Sequence, residues 1–380
     1  MESALHHTFG MALAGGGARG SYAAGVMRYI FTRLPNKIGY IPWPRLVSGT
    51  SVGALNGYFA ACHELDEIHR MTEIWTNITI PQIYELPYKG VFSTLRQLYR
   101  ATKVGSVLIP TPLQRLIEKE SVRRVLRDSI STGKCKAFIV SSTHLTSGEN
   151  TLFVDTGDQH FQVPVPPQGR VVYAKIYPHH LMASAAIPLI FPPQRIDDQL
   201  YVDGGVRQNA PLSPILQSGA NRILVISTRT HKAQQNVDIA KPSLALIAGK
   251  TLNALTLDPV ERNVQIVKKI NKIIRWGEQK YGPAFAQDLD QELGIGHIKV
   301  MHVRPSEDLG KLVMKCYNPD KITAPKEIKW FMQKIYEQGQ DTMESDLLSQ
   351  LLFDKTYTRM AEDLGFHDAQ AQLEQLIEFF

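Results

Sequence analysis

Twice in its first sixty residues the chain passes from a short apolar run through glycines into a helical pattern. Residues 9–14 read as a strand, Gly15-Gly16-Gly17 interrupts it, and residues 19–34 read as a helix. Residues 45–48 read as a second strand, Gly49-Thr50-Ser51-Val52-Gly53 as a turn, and residues 52–63 as a second helix. Strands alternating with helices in this way build a mainly parallel sheet covered on both faces. Strands buried on both faces must be apolar throughout, and Phe138-Ile139-Val140 and Ile223-Leu224-Val225-Ile226 are runs of that kind. Further strand candidates are residues 136–142, 151–155, 200–202, 222–227 and 297–303. The expected fold is α/β, a three-layer α/β/α sandwich with a mainly parallel central sheet and additional helices at the C-terminal end.

Residues 68–127 and 243–281 are helical in pattern. Within the second stretch Val264, Val267, Ile270, Ile273 and Ile274 form one apolar stripe, flanked by Lys268, Lys269, Lys272 and Arg275. From residue 324 onward the pattern is helical again. The one composition break lies at residues 317–325, so the expected division is an α/β domain over 1–317 and a helical extension over 318–380. A hydrophobic fraction of 43% over 380 residues supports a large buried core and excludes a disordered chain. Cys62, Cys135 and Cys316 are too widely spaced for a disulfide framework or a zinc site, so no metal is expected and the compartment reads as reducing. With 42 Lys and Arg against 36 Asp and Glu, the net charge of +6 favours anionic surfaces without marking a nucleic-acid binder. No apolar run approaches the roughly 18 residues of a membrane span, and residues 1–7 carry no basic flank of a signal peptide.

Three motifs carry the chemistry. Gly15-Gly16-Gly17-Ala18-Arg19-Gly20 matches the dinucleotide fingerprint, yet no acid occurs between Glu2 and Glu64 to hold a ribose, and no Lys-Ser or Lys-Thr closes a P-loop. What remains is a row of backbone N–H groups at a helix start, suited to a permanent or transient anion. Gly49-Thr50-Ser51-Val52-Gly53 is a G-x-S-x-G elbow, which exposes the Ser51 hydroxyl above a helix start and aims the Val52 amide at a developing oxyanion.

A serine needs a base to become nucleophilic. His231, His297, His302 and His367 follow it in the chain, and His144, His179 and His180 precede the best acid, but none has a local setting that marks it; each reads as a surface or satisfied core residue. The better candidate is Asp203 in Tyr201-Val202-Asp203-Gly204-Gly205, a carboxylate at a strand end left unshielded by two glycines. Asp197 and Asp198 read instead as an ordinary turn.

The three motifs in this order resemble the patatin-like phospholipases. So do Ala183-Ser184-Ala185-Ala186-Ile187-Pro188, Phe191-Pro192-Pro193, and the stretch from Asp203 through Asn209 to Pro211. The resemblance runs over residues 9–305. It implies that Ser51 is the nucleophile and Asp203 its sole base in a Ser-Asp dyad. It also implies that Gly15, Gly16, Gly17, Arg19 and Gly20 form the oxyanion loop, flanked by the elbow residues Gly49, Val52 and Gly53 and by Gly204 and Gly205. No cofactor is implied. The activity expected is a phospholipase A that cleaves acyl esters of membrane phospholipids through an acyl-enzyme, with a cytoplasmic location and transient attachment to the bilayer surface. No nucleic-acid partner is expected.

Leu181-Met182 and residues 187–191 are suited to line an acyl channel. Arg123, Arg124 and Arg127, and the Lys268 to Arg275 stripe, are candidates to meet anionic head groups, with a solvated face as the alternative. Arg19 orients either its own loop or a head group. Two other functions stay open at this point: an acyltransferase or neutral-lipid esterase with the same dyad, and a nucleotide-binding signalling module in which the Gly15 to Gly20 loop holds phosphate.

Overall fold

The computed structural model describes residues 9–86, 106–121, 124–207, 211–230, 247, 249–251, 258–340 and 345–380. In chain order β1 (Phe9–Leu13) leads to α1 (Gly20–Thr32), the short α2 (Pro35–Ile38) and β2 (Leu46–Thr50). There follow α3 (Val52–Ala61), α4 (Leu65–Asn77), α5 (Thr111–Ser121), α6 (Val125–Ser131), β3 (Ala137–His144), β4 (Asn150–Thr156) and β5 (Gly169–Tyr173). Next come α7 (Pro178–Ser184), β6 (Gln194–Ile196), β7 (Gln199–Asp203), α8 (Leu212–Gln217), β8 (Arg222–Ile226), α9 (Asp258–Tyr281), α10 (Ala284–Leu293) and β9 (Lys299–Val303). The chain closes with α11 (Leu309–Cys316), α12 (Lys326–Gly339), α13 (Asp346–Leu351), α14 (Lys355–Ala371) and α15 (Leu373–Phe379).

The sheet runs β5-β4-β3-β2-β1-β8-β9, with the β6–β7 hairpin attached to β3. β3, β2, β1, β8 and β9 are mutually parallel. β4 and β7 each pair antiparallel with β3. The apolar strands are shared between two cores in strict alternation. Met11 and Leu13 of β1, Phe138 and Val140 of β3, and Leu224 and Ile226 of β8 face one layer of helices. Ala12, Ala137, Ile139, Ile223 and Val225 face the other, where α8 and the Val260, Val264 and Val267 stripe of α9 cover them. That two-sided burial is why these strands show no polar alternation.

The expected strands at 151–155 and 200–202 form as β4 and β7, and the Asp197–Asp198 turn joins β6 to β7. Asp197 there adopts φ 50°, a left-handed conformation that Asp tolerates. β5 and β6 have no counterpart in the sequence reading, being short and interrupted by charge. The described parts of the helical stretches 68–127 and 243–281 are largely helical, whereas residues 87–105, 122–123, 243–246, 248 and 252–257 lie outside the described residues.

Residues after 317 join the larger core directly. α14 lies along α1 so closely that the two backbones nearly touch at Gly25 and Gly365, and the buried Glu362 accepts from Arg28 Nε and Nη2 at 2.6 and 2.8 Å. Phe379 and Phe380 stack edge-on against Phe9, with ring centroids 5.9 and 5.0 Å away. Among the described residues no helix is long and apolar enough to cross a membrane.

Candidate active site

Ser51 occupies the turn between β2 and α3 with φ 55° and ψ −130°. A non-glycine residue in such a conformation costs about 1–3 kcal/mol, and the surroundings hold it there. Its amide donates to Ser184 Oγ at 2.8 Å, and Ser184 Oγ in turn donates to Ser141 O at 2.6 Å. The sharp turn also needs room: a Cβ at Gly53 would lie 2.3 Å from the Leu13 carbonyl oxygen of β1. Val52 is the first residue of α3, so its N–H has no acceptor within the helix, and the residue lines the same cavity as Ser51. Ser184 is a residue whose role the sequence reading missed, because its partners are far away in the chain.

Asp203 ends β7, opposite Ser142 of β3 in the antiparallel pair. Since β3 also pairs with β2, the strand that ends one residue before Ser51, this register carries the carboxylate to the serine. The Ser51 hydroxyl is close enough to the Asp203 carboxylate to favour its ionised form, and Oδ1 accepts the Gly205 amide at 2.7 Å. The Asp203 backbone is pinned too, its N–H donating to Ala186 O at 2.9 Å and its carbonyl accepting from Thr143 Oγ1 at 3.1 Å. Burial pushes the carboxyl from 3.8 up to about 6, while Ser51 and the Gly205 amide pull it down. At neutral pH the carboxylate is therefore mostly ionised, yet basic enough to take a proton.

The described candidate histidines are engaged elsewhere, His179 through ring contacts with Tyr177 and His180. His144 bonds Ser147 Oγ and Gln199 Oε1 at 2.7 and 2.6 Å. His180 accepts the Tyr177 amide, and burial pushes its pKa down to about 4. His297 pairs with Glu278 and His367 with the Asp363 carbonyl; His302 bonds Ser227 Oγ. His231 lies outside the described residues, as does Asn209. Among the described residues no group of three His, Cys, Asp or Glu is placed to hold a metal ion.

The glycine loop crosses the site between β1 and α1. Gly17 has φ 57°, and a Cβ on it would sit 2.2 Å from the Gln350 carbonyl oxygen of α13, so only glycine fits between the serine and the C-terminal helices. Arg19 turns into the protein. It is buried, with Nε donating to Ser349 Oγ at 2.8 Å and Nη2 to Asp346 Oδ1 at 2.7 Å. Burial raises the Asp346 carboxyl, but Arg19 and Lys250 outweigh it and hold the group below its ordinary value, Lys250 Nζ lying 3.0 Å from Oδ2. Arg19 is thus an anchor that ties the loop to α13, and of its two expected roles the head-group contact is the one the structure does not support.

Beside Ser51 lies an apolar cavity with an empty volume of about 820 Å³, part of it open to solvent. Of the expected channel residues, Leu181, Ile187 and Phe191 line it, whereas Leu189 is exposed to solvent. Most of its wall comes from α3, α4 and α5, which the sequence marked only as helical. The basic residues are divided in fate. Arg127 is committed to Asp155 and the Ile176 carbonyl, Arg124 precedes α6 as its cap, and Arg123 lies outside the described residues. Lys268, Lys269, Lys272 and Arg275 are exposed on α9, on the face of the sheet opposite the cavity.

Residues 11–216 match the family model described as patatin-like phospholipase. Among solved structures, the crystal structure of VipD from Legionella pneumophila is similar to this chain at 13% sequence identity and a TM-score of 0.43, over 97% of this chain and 67% of that one. That likeness is too distant to inform function.

Proposed function

The chain belongs to the patatin-like phospholipase family and is a lipid acyl hydrolase; on that premise we propose that it is a phospholipase A working through a Ser51–Asp203 dyad. The observation that carries this reading is the placement of the strained, buried Ser51 beside an aspartate whose basicity is raised by burial, at the head of an apolar cavity. Asp203 takes the Ser51 proton as the hydroxyl attacks the ester carbonyl, and the carbonyl oxygen becomes an oxyanion. The Val52 amide and the amides of the Gly15 to Gly17 loop stabilise that charge. The leaving alcohol, a lysophospholipid, takes the proton from Asp203. Water then gives its proton to the same carboxylate as it attacks the acyl-enzyme, and as the Ser51–acyl bond breaks Asp203 returns that proton to the Ser51 oxygen and the fatty acid departs.

The commitment of Arg19 to Asp346 favours hydrolysis over nucleotide binding, since the one cation of the glycine loop is already neutralised inside the protein. The net charge of +6 and the three free cysteines support a cytoplasmic protein that touches an anionic lipid surface transiently. Mass spectrometry of glycerophospholipids incubated with wild-type and Ser51→Ala protein tests the proposal. The wild type should release fatty acid and lysophospholipid, react at Ser51 with a fluorophosphonate, and lose both properties in Ser51→Ala. Release that persists in Ser51→Ala, or transfer of the acyl group to an added alcohol in preference to water, overturns the assignment.

A further inference from the structure

The cavity below Ser51 is a shaft whose depth can be read from the three helices that wall it. α3 starts just after the serine and descends, presenting Val52, Leu55 and Phe59; α4 climbs back, presenting Met71 and Ile74, with Ile78 just past its end. α5 descends again from its upper end, where the Leu113 amide bonds the Ile83 carbonyl, and reaches Glu120. Lining residues recur three and four apart on each helix, so all three run along the shaft. At a rise of 1.5 Å per residue, the spans from Val52 to Phe59 and from Leu113 to Glu120 each come to about 11 Å, and the step from Ser51 to Val52 brings the depth to about 12 Å.

The floor differs in kind from the walls. Glu120 Oε2 lies 2.8 Å from Arg70 Nε, and Arg70 Nη1 lies 3.7 Å from Glu67 Oε1. The side chains of Glu67 and Glu120 are only 3% and 11% exposed and that of Arg70 is 20% exposed, so the shaft ends on two largely buried carboxylates held by a partly exposed cation.

We propose that this shaft is an acyl-chain gauge that accepts chains of eight to ten carbons and rejects those of sixteen, with the Arg70–Glu120 ion pair as its stop. The inference rests on Ser51 as the acylated residue and adds the class of acyl group it takes. An extended hydrocarbon advances about 1.3 Å per carbon, from bonds of about 1.5 Å at tetrahedral angles, so about nine carbons span the shaft. Each methylene buried against the apolar walls strengthens binding about fourfold, and kcat/KM rises with chain length up to that point. The next methylene meets an ion pair. Admitting it separates the largely buried Glu120 carboxylate from its cation, which is costly because that carboxylate does not regain water.

The test uses the whole purified chain and p-nitrophenyl esters of four to sixteen carbons, followed by mixed-chain phosphatidylcholines. Wild-type kcat/KM should peak at eight to ten carbons and fall at least tenfold by sixteen. Glu120→Leu removes the stop while leaving Arg70 beside Glu67, and should raise the sixteen-to-ten carbon ratio tenfold or more. Leu55→Trp fills the shaft at mid-height and should move the peak below eight carbons; it decides the matter if Glu120→Leu fails to fold. A flat wild-type profile with Ser51 still reactive toward fluorophosphonate overturns the gauge alone, as does an unmoved peak in folded forms of both variants. Loss of all ester cleavage and all labelling in the wild type overturns the Ser51 reading and the gauge with it.

Discussion

Replacing Asp203 by Asn isolates the free energy stored in the buried carboxylate. Burial lifts this carboxyl from 3.8 to about 6, a displacement of about two pKa units, or about 3 kcal/mol at 1.36 kcal/mol per unit. The sign follows from the direction. Below about pH 4 the group is protonated in both folded and unfolded chains, and it disfavours neither. As pH rises through about 6 the folded protein must ionise a carboxylate in a dry site, and about 3 kcal/mol of stability is lost. Asn has the same shape and never ionises. Asp203→Asn should therefore match the wild type in stability near pH 4 and exceed it by about 3 kcal/mol at pH 8. With an unfolding entropy of roughly 2.1 cal/mol/K per residue over the chain, that is a rise in Tm of about 4 °C. Thermal unfolding followed by circular dichroism at the two pH values measures the difference of differences, while ester hydrolysis should be abolished at both. A variant that gains nothing at pH 8 relative to pH 4 would refute the claim that an ionised carboxylate is held there against its desolvation. The same shift sets the acid limb of the wild-type rate: kcat/KM should fall as pH drops through about 6, because protonated Asp203 cannot accept the Ser51 proton.

Asp346→Asn leaves the Arg19 guanidinium buried without its carboxylate, which costs about 3–5 kcal/mol of stability; kcat for a short ester should drop about tenfold with KM nearly unchanged, because the loop rather than the acyl shaft is displaced. Steady-state kinetics separates those two constants, and a change confined to KM would remove Arg19 from the loop's support. Gly17→Ala places a Cβ 2.2 Å from the Gln350 carbonyl oxygen at a positive φ, so the loop must shift, and phosphonylation of Ser51 by a fluorophosphonate should slow by about 10²-fold or more, the usual cost of losing one oxyanion donor.

Both strand-to-helix turns that frame the site were legible in the sequence, because each imposes a demand within a few residues: glycines for a sharp turn, a continuous apolar run for a strand covered on both faces. Ser51 stood out for that reason. Asp203 was legible as a candidate from the glycines that follow it, and from the absence of any well-placed histidine. Its contact with Ser51 depended on something no local pattern records, the antiparallel register that sets Asp203 opposite Ser142 on β3, next to the strand that ends at the elbow.

The part of the site that supports the loop was silent in the sequence. Arg19 and Asp346 are 327 positions apart, and neither has a neighbour in the chain that signals a buried partner. Ser184 is likewise an ordinary small residue until its hydroxyl is found between the Ser51 amide and the Ser141 carbonyl. The shaft floor at Glu120 could be read only as the polar end of an amphipathic helix. The sequence by itself determined the layered α/β class, the elbow and the glycine loop, since these follow from backbone sterics and from periodic burial. Tertiary structure alone decided which buried charge meets which, how far the apolar shaft extends and where it stops. A buried polar group must find a partner wherever the fold places one, and that choice leaves no periodic trace along the chain.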